Sequence, residues 1–184
     1  MSTYKKIAGS LIATVLIAAC AATPDNASTA SPTRGPNLGA APTPAMLAAM
    51  DISIPPSGAG LPAGSGSVAQ GAKVYEAQCE TCHGSKGVGK PADPLVGGIG
   101  SLASGKPMRT VGSYWPYATT LFDYVRRAMP TNAPLTLSND EVYAVSAYVL
   151  FLNGIVAEAA MMNAQTLPQV KMPNRDGFID YSRK

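Results

Sequence analysis

The chain is 184 residues long, with 14 basic and 11 acidic residues, and apolar residues make up 46% of it. This length suits one domain with additional segments at its ends. Charges of both signs are spread along the chain without a basic cluster, which excludes nucleic acid as a partner. The chain contains one histidine, three cysteines and eight methionines, so a site built from nitrogen and sulfur ligands has few residues to draw on.

Residues 1–19 have the features of an export signal. Lys5 and Lys6 precede an apolar run over residues 7–19, and small residues close that run. A basic start, a short apolar centre and a small-residue end are typical of signal peptides. The run has 13 residues, fewer than the roughly 20 that a membrane-spanning helix requires.

The segment that follows the apolar run resembles the bacterial lipobox. Ile17, Ala18 and Ala19 precede Cys20, the position at which that family carries its lipid. The resemblance implies a lipoprotein anchored through Cys20 on the periplasmic side of a bacterial membrane. Two or more acyl chains anchor stably, at roughly 0.8 kcal/mol per buried methylene. The alternative is ordinary signal cleavage, which would leave a soluble periplasmic protein.

Residues 20–67 are predicted to form a tether. Eight of the sixteen prolines lie between Pro24 and Pro62, among Ala, Ser, Thr and Gly, and no hydrophobic period persists. Such a composition buries too little apolar surface to offset the entropy of ordering. A short helix near Met46–Met50 is an alternative for part of it.

Residues 68–184 are predicted to form an all-α domain, with a C-terminal tail from residue 155. Apolar residues at helical spacing predict helices over 68–78 and 119–128. Ser138, with Glu141 three positions later, forms a capping box that predicts a third helix reaching Asn153. No alternating strand pattern is present, and residues 84–105 are expected to form a loop.

Cys79-Glu80-Thr81-Cys82-His83 has the spacing of a c-type haem attachment site. Two thiols three residues apart can form thioethers to two vinyl groups on one porphyrin edge, and the adjacent histidine can ligate the iron. We therefore predict one covalent haem c on Cys79 and Cys82, with His83 as the proximal ligand.

Other uses of this pattern fit the chain less well. A zinc site needs four nitrogen or sulfur ligands, but His83 is the only histidine and the only other cysteine is Cys20. A redox-active CxxC pair would call for a strand-helix pattern, which is absent. A motif present by chance in a structural lipoprotein is the remaining alternative.

Residues 68–154 resemble the class I cytochromes c. Gly71, Tyr75 and Cys79 recur at intervals of four, as in the N-terminal helix of that family, and Val145 with Tyr148 resembles the apolar pair of its C-terminal helix. The resemblance implies a class I cytochrome c fold, in which these two helices cross closely at the glycine.

The resemblance also implies roles around the haem. Pro94 with Leu95 resembles the family's proline-containing loop, a carbonyl of which steadies the proximal imidazole, although Pro91 competes for the proline's place. Trp115 lies where the family places aromatic side chains near a haem propionate; packing on the haem edge is the alternative. Arg126 or Arg127 could pair with a propionate or present a positive rim to an acidic partner.

The distal iron ligand is predicted to be a methionine, because no second histidine is available. Met129 stands before Pro130 and ahead of the last predicted helix, where class I relatives carry this ligand. Met172 is the rival, since a returning tail could bring it over the haem, and Met108 is a third candidate. An open distal position also remains.

Four stretches together resemble the cytochrome subunit of bacterial sulfite or sulfane dehydrogenase, a molybdenum enzyme of thiosulfate oxidation. They are residues 114–124, 126–130, 140–144 and 171–178. The resemblance implies an electron carrier that is not itself an enzyme. It would accept single electrons from the molybdenum subunit and pass them to a downstream cytochrome or oxidase. The alternatives are a general periplasmic carrier for another dehydrogenase, and a haem sensor or peroxidase with an open distal site.

Overall fold

The computed structural model describes residues 39–179 and Ser182, and its folded unit spans Thr43–Lys184. The predicted signal at 1–19 and the lipidation site at Cys20 lie outside the described residues. Among the residues described, no helix has the length and apolar character needed to cross a membrane. In chain order the elements are α1 (Pro44–Met50), β1 (Ser65–Ser67), α2 (Val68–Gln78), α3 (Glu80–His83), α4 (Ala118–Ala128), α5 (Asn139–Leu152) and β2 (Met161–Asn163).

The helices begin and end close to the predicted positions. Ser67 caps α2 and Ser138 caps α5, each through a capping box in which side chain and backbone amides are satisfied reciprocally. Hydrogen bonds from Ser138 to the Glu141 carboxylate lower the pKa of Glu141. Helix α4 begins one residue before the predicted position. Three short 3-10 helices, Ser85–Gly87, Ser101–Ala103 and Leu167–Gln169, lie in the connections.

Helices α2 and α5 cross at a glycine, as the family resemblance implied. A Cβ on Gly71 would lie 1.9 Å from the Ala144 carbonyl oxygen and 2.8 Å from the Cβ of Tyr148. One turn further along, the rings of Tyr75 and Tyr148 pack with centroids 5.4 Å apart. The two backbones can therefore touch only because residue 71 has no side chain.

The prediction of an all-α chain is confirmed only in its main feature. Helices supply most of the regular structure, but β1 and β2 pair antiparallel, with Gly66 opposite Met162. Each strand has three residues, which is too short to show alternation in the sequence. The pair lies against α5, where a Cβ on Gly66 would meet the Ala144 backbone nitrogen at 2.2 Å.

The folded unit begins earlier than residue 68, the predicted boundary. Residues 52–65, which had been assigned to the tether, lie along α4 and α5 and are held by side chains from both helices. The sequence of this segment shows no hydrophobic period, and its hydrogen bonds to α4 and α5 are made by its backbone groups, so the sequence does not predict these contacts. They include the Ile54 amide to Asp123 Oδ1 (2.8 Å), Thr119 Oγ1 to the Pro56 carbonyl (3.1 Å), and the Tyr143 hydroxyl to the Pro62 carbonyl (2.9 Å).

The tail after residue 155 also packs on the domain. Leu167 and Met172 are buried in the same core as Phe122 of α4 and Tyr143 of α5, whose rings stack with centroids 4.4 Å apart. Each fully buried apolar side chain contributes roughly 1.5–3 kcal/mol. The segment that precedes the helices in the chain and the tail that follows them therefore both complete the core.

We predict that Gly71→Ala destabilises the protein. Overpacking against the Ala144 backbone and the Tyr148 Cβ costs about 3 kcal/mol, whereas the higher helix propensity of alanine returns about 1 kcal/mol. The free energy of unfolding should therefore fall by about 2 kcal/mol. Chemical denaturation of the haem-loaded protein measures this change. Gly105→Ala is the matched control, because a Cβ at Gly105 meets nothing within 4 Å. Equal stability of the two variants would contradict a close α2–α5 crossing.

Candidate haem site

The CxxCH segment forms the junction between α2 and α3. Cys79 is at once the last cap of α2 and the residue before α3, and its amide bonds the Tyr75 carbonyl at 2.9 Å. Cys82 and His83 follow within the single turn of α3. Cys79 is half-buried and packs on the core, whereas Cys82 is exposed, and both thiols are free. Residues three apart on a helix share a face, so both thiols can meet one edge of a ligand.

Burial affects the reactivity of the inner thiol. Desolvation, together with the neighbouring Cys82, raises the pKa of Cys79 to about 11. A thiol with this pKa is almost entirely protonated at neutral pH and is a poor nucleophile by itself.

The His83 imidazole is oriented by a backbone carbonyl. Its Nδ1 lies 3.0 Å from the Asp93 carbonyl oxygen. With the proton on Nδ1, this atom donates to the carbonyl and leaves the lone pair of Nε2 free for a metal. The acceptor belongs to the loop that contains Pro94, and it is the carbonyl of the preceding residue, Asp93. Pro94 itself remains in the same loop, half-buried.

The loop after His83 folds back onto the CxxCH segment. The Gly89 amide donates to the His83 carbonyl at 2.7 Å, and the Ala92 amide donates to the Cys82 carbonyl at 2.8 Å. Gly84 and Gly89 both have positive φ, and a Cβ on Gly84 would meet the Gly89 carbonyl oxygen at 2.4 Å. The backbone can therefore carry Asp93 over the imidazole only with glycines at these turns.

Tyr75 ties α2 to the same loop. Its buried hydroxyl donates to the Gly84 carbonyl at 2.9 Å, directly after the histidine. Desolvation by burial raises the pKa of Tyr75 to about 12, so the hydroxyl stays protonated and remains a donor. Sequence analysis had identified this tyrosine only as a packing residue of the helix crossing.

Asn153 connects the far end of the loop to α5. Its Nδ2 donates to the carbonyls of Leu95 (3.1 Å) and Val149 (2.9 Å), and its Oδ1 accepts from the Gly97 amide (3.3 Å). Asn153 is buried, and it had been identified only as a helix terminator. No sequence signal could have revealed this role, because its partners in the loop, Leu95 and Gly97, are backbone groups 58 and 56 residues away.

Met129 and Trp115 pack against one core. Both are half-buried, as is Cys79, and all three contact the same cluster of buried residues. Met129 caps α4, and the Thr131 hydroxyl lies 3.5 Å from its sulfur. The Trp115 ring packs edge-on against that of Tyr124, with centroids 5.6 Å apart.

The rival methionines lie in different settings. Met172 is 3% exposed and forms part of the apolar core, so its side chain is already used in packing. Met108 is 45% exposed, and its backbone is held by the hydroxyls of Ser101 and Ser113. Met129 is half-buried and so differs from both: it packs against the core without being fully buried in it.

The two arginines of α4 are engaged within the protein. Arg127 forms an ion pair with Asp123 one turn earlier, and that carboxylate also accepts from the Ile54 amide. Arg126 donates to the Ile52 carbonyl at 3.3 Å. Both guanidiniums thus help to hold the segment before β1, a use the sequence did not indicate.

The donor set fits a covalent haem and does not fit zinc. Among the described residues, no three His, Cys, Asp or Glu side chains come together as a metal cluster. What the site does offer is two free thiols one turn apart, an imidazole oriented through Nδ1, and a thioether on the same core. This is the chemistry that a c-type haem requires.

Comparisons with known proteins agree with this geometry. Residues 66–149 match the family model described as cytochrome c oxidase, cbb3-type, subunit III. The chain is also similar to a chain in the crystal structure of the sulfane dehydrogenase SoxCD from Paracoccus pantotrophus. The two are 40% identical, the match covers 80% of this chain and 73% of that chain, and the TM-score is 0.74. No curated protein sequence matches.

The chain belongs to the c-type cytochrome family. That family carries covalently bound haem c, which Cys79 and Cys82 are placed to hold. Within the family, the predicted resemblance to a chain of a bacterial sulfane dehydrogenase is also confirmed.

We predict that Asn153→Ala loosens the loop over the proximal histidine. Removing the amide leaves the Leu95 carbonyl and the Gly97 amide without this partner, and each unsatisfied buried group costs about 1–3 kcal/mol. The free energy of unfolding should therefore fall by at least about 2 kcal/mol. Asn132→Ala, at an exposed loop position, is the control and should change little. An unchanged midpoint for Asn153→Ala would show that the loop does not depend on this side chain.

Proposed function

We propose that this chain is a single-haem class I cytochrome c that accepts electrons one at a time from a molybdenum-containing sulfite or sulfane dehydrogenase. It would then pass them to a downstream cytochrome or oxidase of the respiratory chain. The observation that carries the proposal is the 40% identity to a chain of the sulfane dehydrogenase SoxCD, combined with the CxxCH geometry. When bound, the haem supplies an iron that takes up and releases one electron.

In this proposal, the protein's own residues hold and orient the group. Cys79 and Cys82 provide the thioether sulfurs, and His83 provides Nε2 as the proximal ligand. The Asp93 carbonyl keeps the proton on Nδ1, which fixes the tautomer and raises the basicity of the ligating nitrogen. Met129 supplies the distal sulfur, and Trp115 lies in the haem environment.

Membership of the c-type cytochrome family supports an electron-transfer role for this chain. An open depression of about 210 Å³ lies between α2 and the loop after His83, lined by Lys73, Glu76 and Tyr148 among others. This depression lies on the side of Tyr75 and Tyr148 and is not lined by Cys82, His83 or Met129.

The lipid anchor at Cys20 and the periplasmic location belong to the same proposal. They rest on the lipobox resemblance alone, and Cys20 lies outside the described residues. An electron carrier held at a membrane surface would stay close to respiratory acceptors.

Rapid mixing tests the proposed donor. The purified ferric protein should be reduced quickly by the host's sulfite- or sulfane-oxidising molybdenum enzyme when the sulfur substrate is present, and not when either enzyme or substrate is omitted. Reduction by ascorbate is the control for a competent haem. A protein that ascorbate reduces and the complete enzyme mixture does not would contradict this donor and favour a carrier for another dehydrogenase.

We predict that Met129→Ala removes the distal ligand. The weak red absorption band of ferric methionine-ligated haem should disappear, and the ferrous protein should bind carbon monoxide without displacing a ligand. Met172→Ala should keep the band but lower the free energy of unfolding by about 2–5 kcal/mol, because it empties a buried site. Retention of the band in Met129→Ala with its loss in Met172→Ala would reverse the assignment.

A further inference from the structure

The C-terminal tail is anchored along residues 114–117. Met172 is buried, and two residues further on Asn174 Nδ2 donates to the Tyr114 carbonyl at 2.7 Å. The Arg175 guanidinium then lies over the Tyr117 ring, 4.1 Å from its centroid. These contacts hold the end of the tail in one place on the surface, ahead of any binding event.

Beyond this anchor, large side chains face outward. The Phe178 ring packs edge-on against Tyr114 with centroids 5.3 Å apart, yet Phe178 is 52% exposed and the adjacent Ile179 is 71% exposed. The Arg109 guanidinium also lies over the Tyr114 ring, 5.7 Å from its centroid. We call Arg109, Tyr114, Phe178 and Ile179 the tail surface.

The composition of the tail surface is that of a protein–protein contact. Tyrosine, phenylalanine and arginine are enriched at the centres of such contacts, and a preformed arrangement reduces the entropy lost on binding. Within residues 39–179, neither Arg109 nor Arg175 has a carboxylate within ion-pairing distance. As far as the described residues determine it, their positive charge is available to a partner, which favours an acidic surface around an apolar centre.

The tail surface includes the residue that precedes Trp115 in the chain. Tyr114 is followed directly by Trp115, which packs on the same core as Met129 and Cys79. A partner seated on Tyr114 and Phe178 would thus lie one residue away from a side chain of the proposed haem environment. Electron-transfer contacts are usually small, so a patch of a few side chains is of suitable size.

We propose that the tail surface is the docking site for an acidic face on the catalytic subunit of the electron-donating dehydrogenase. This inference rests on the proposed function and specifies where its partner binds. An anionic lipid surface is the less favoured occupant, because the exposed carboxylate of Asp176 lies between Arg175 and Phe178 and would be repelled by the headgroups. A protein partner can oppose that carboxylate with a cation of its own.

The test uses Arg109→Glu and Phe178→Ala in the full-length, haem-loaded protein. Both should lower the second-order rate constant for reduction by the dehydrogenase with its sulfur substrate, Arg109→Glu by about tenfold or more at low salt. Because steering by this charge is lost, the rate of Arg109→Glu should also depend less on ionic strength. Ascorbate reduction and the absorption spectrum should be unchanged.

Two matched variants control for exposure and charge. Met161→Ala removes a side chain that is 53% exposed on β2, and Lys73→Glu reverses an exposed charge on α2. Both should be reduced at the wild-type rate.

Wild-type rates for Arg109→Glu and Phe178→Ala would overturn the docking site while leaving the proposed donor intact. A wild-type protein that the dehydrogenase does not reduce would overturn both. Binding of the wild type to phosphatidylglycerol vesicles that Arg109→Glu abolishes, with unchanged reduction rates, would overturn the proposal in favour of a lipid surface.

Discussion

The backbone contact between Gly71 and Ala144 is the constraint on which the candidate site depends. It brings α2 and α5 together without an intervening side chain. Helix α2 delivers Cys79 and, through α3, His83; helix α5 delivers Asn153 at its end. A larger separation at the crossing would move the CxxCH segment away from the residue that fixes the loop over it. The distance between the two helices and the geometry of the histidine are therefore coupled through the backbone.

The loop that follows His83, from Gly84 to Gly97, is organised by hydrogen bonds and has little apolar core of its own. Tyr75 holds its beginning at Gly84, and Asn153 holds its end at Leu95 and Gly97. Between them, the backbone bonds of Gly89 and Ala92 to the CxxCH segment bring Asp93 over the imidazole. Each such bond contributes only about 1 kcal/mol, so the orientation of His83 depends on several bonds acting together.

Much of this arrangement could be predicted from the sequence, because it follows from local patterns. The capping boxes at Ser67 and Ser138 set the starts of α2 and α5, and the CxxCH spacing identifies its ligand chemistry by itself. The family resemblance implies that the loop containing Pro94 supplies the acceptor for His83. Which carbonyl does so, that of Asp93, depends on the three-dimensional path, since a loop rich in glycine offers several carbonyls within reach.

The contributions of the segments outside residues 68–154 could not be predicted. The segment around Ile54 binds α4 through its own amides and carbonyls, and these groups are the same in every sequence. Gly58 of that segment meets Pro168 of the tail, where a Cβ on the glycine would lie 2.6 Å from the proline Cγ. Both ends of the domain are thus fixed by long-range contacts that leave no periodic signal.

The packing of these end segments also determines which arginine side chains are accessible to a partner. The sequence pointed to Arg126 and Arg127, yet the first binds the Ile52 carbonyl and the second pairs with Asp123, a nearly buried carboxylate. If these two arginines turned to a partner, Asp123 and the segment around Ile54 would lose the contacts that compensate their polar groups. The free-energy cost of that loss exceeds the small gain from an exposed ion pair. Arg109 and Arg175 lie instead on aromatic rings and keep their charge accessible. The packing of the chain ends against α4 therefore shifts the positive surface away from that helix and towards the tail.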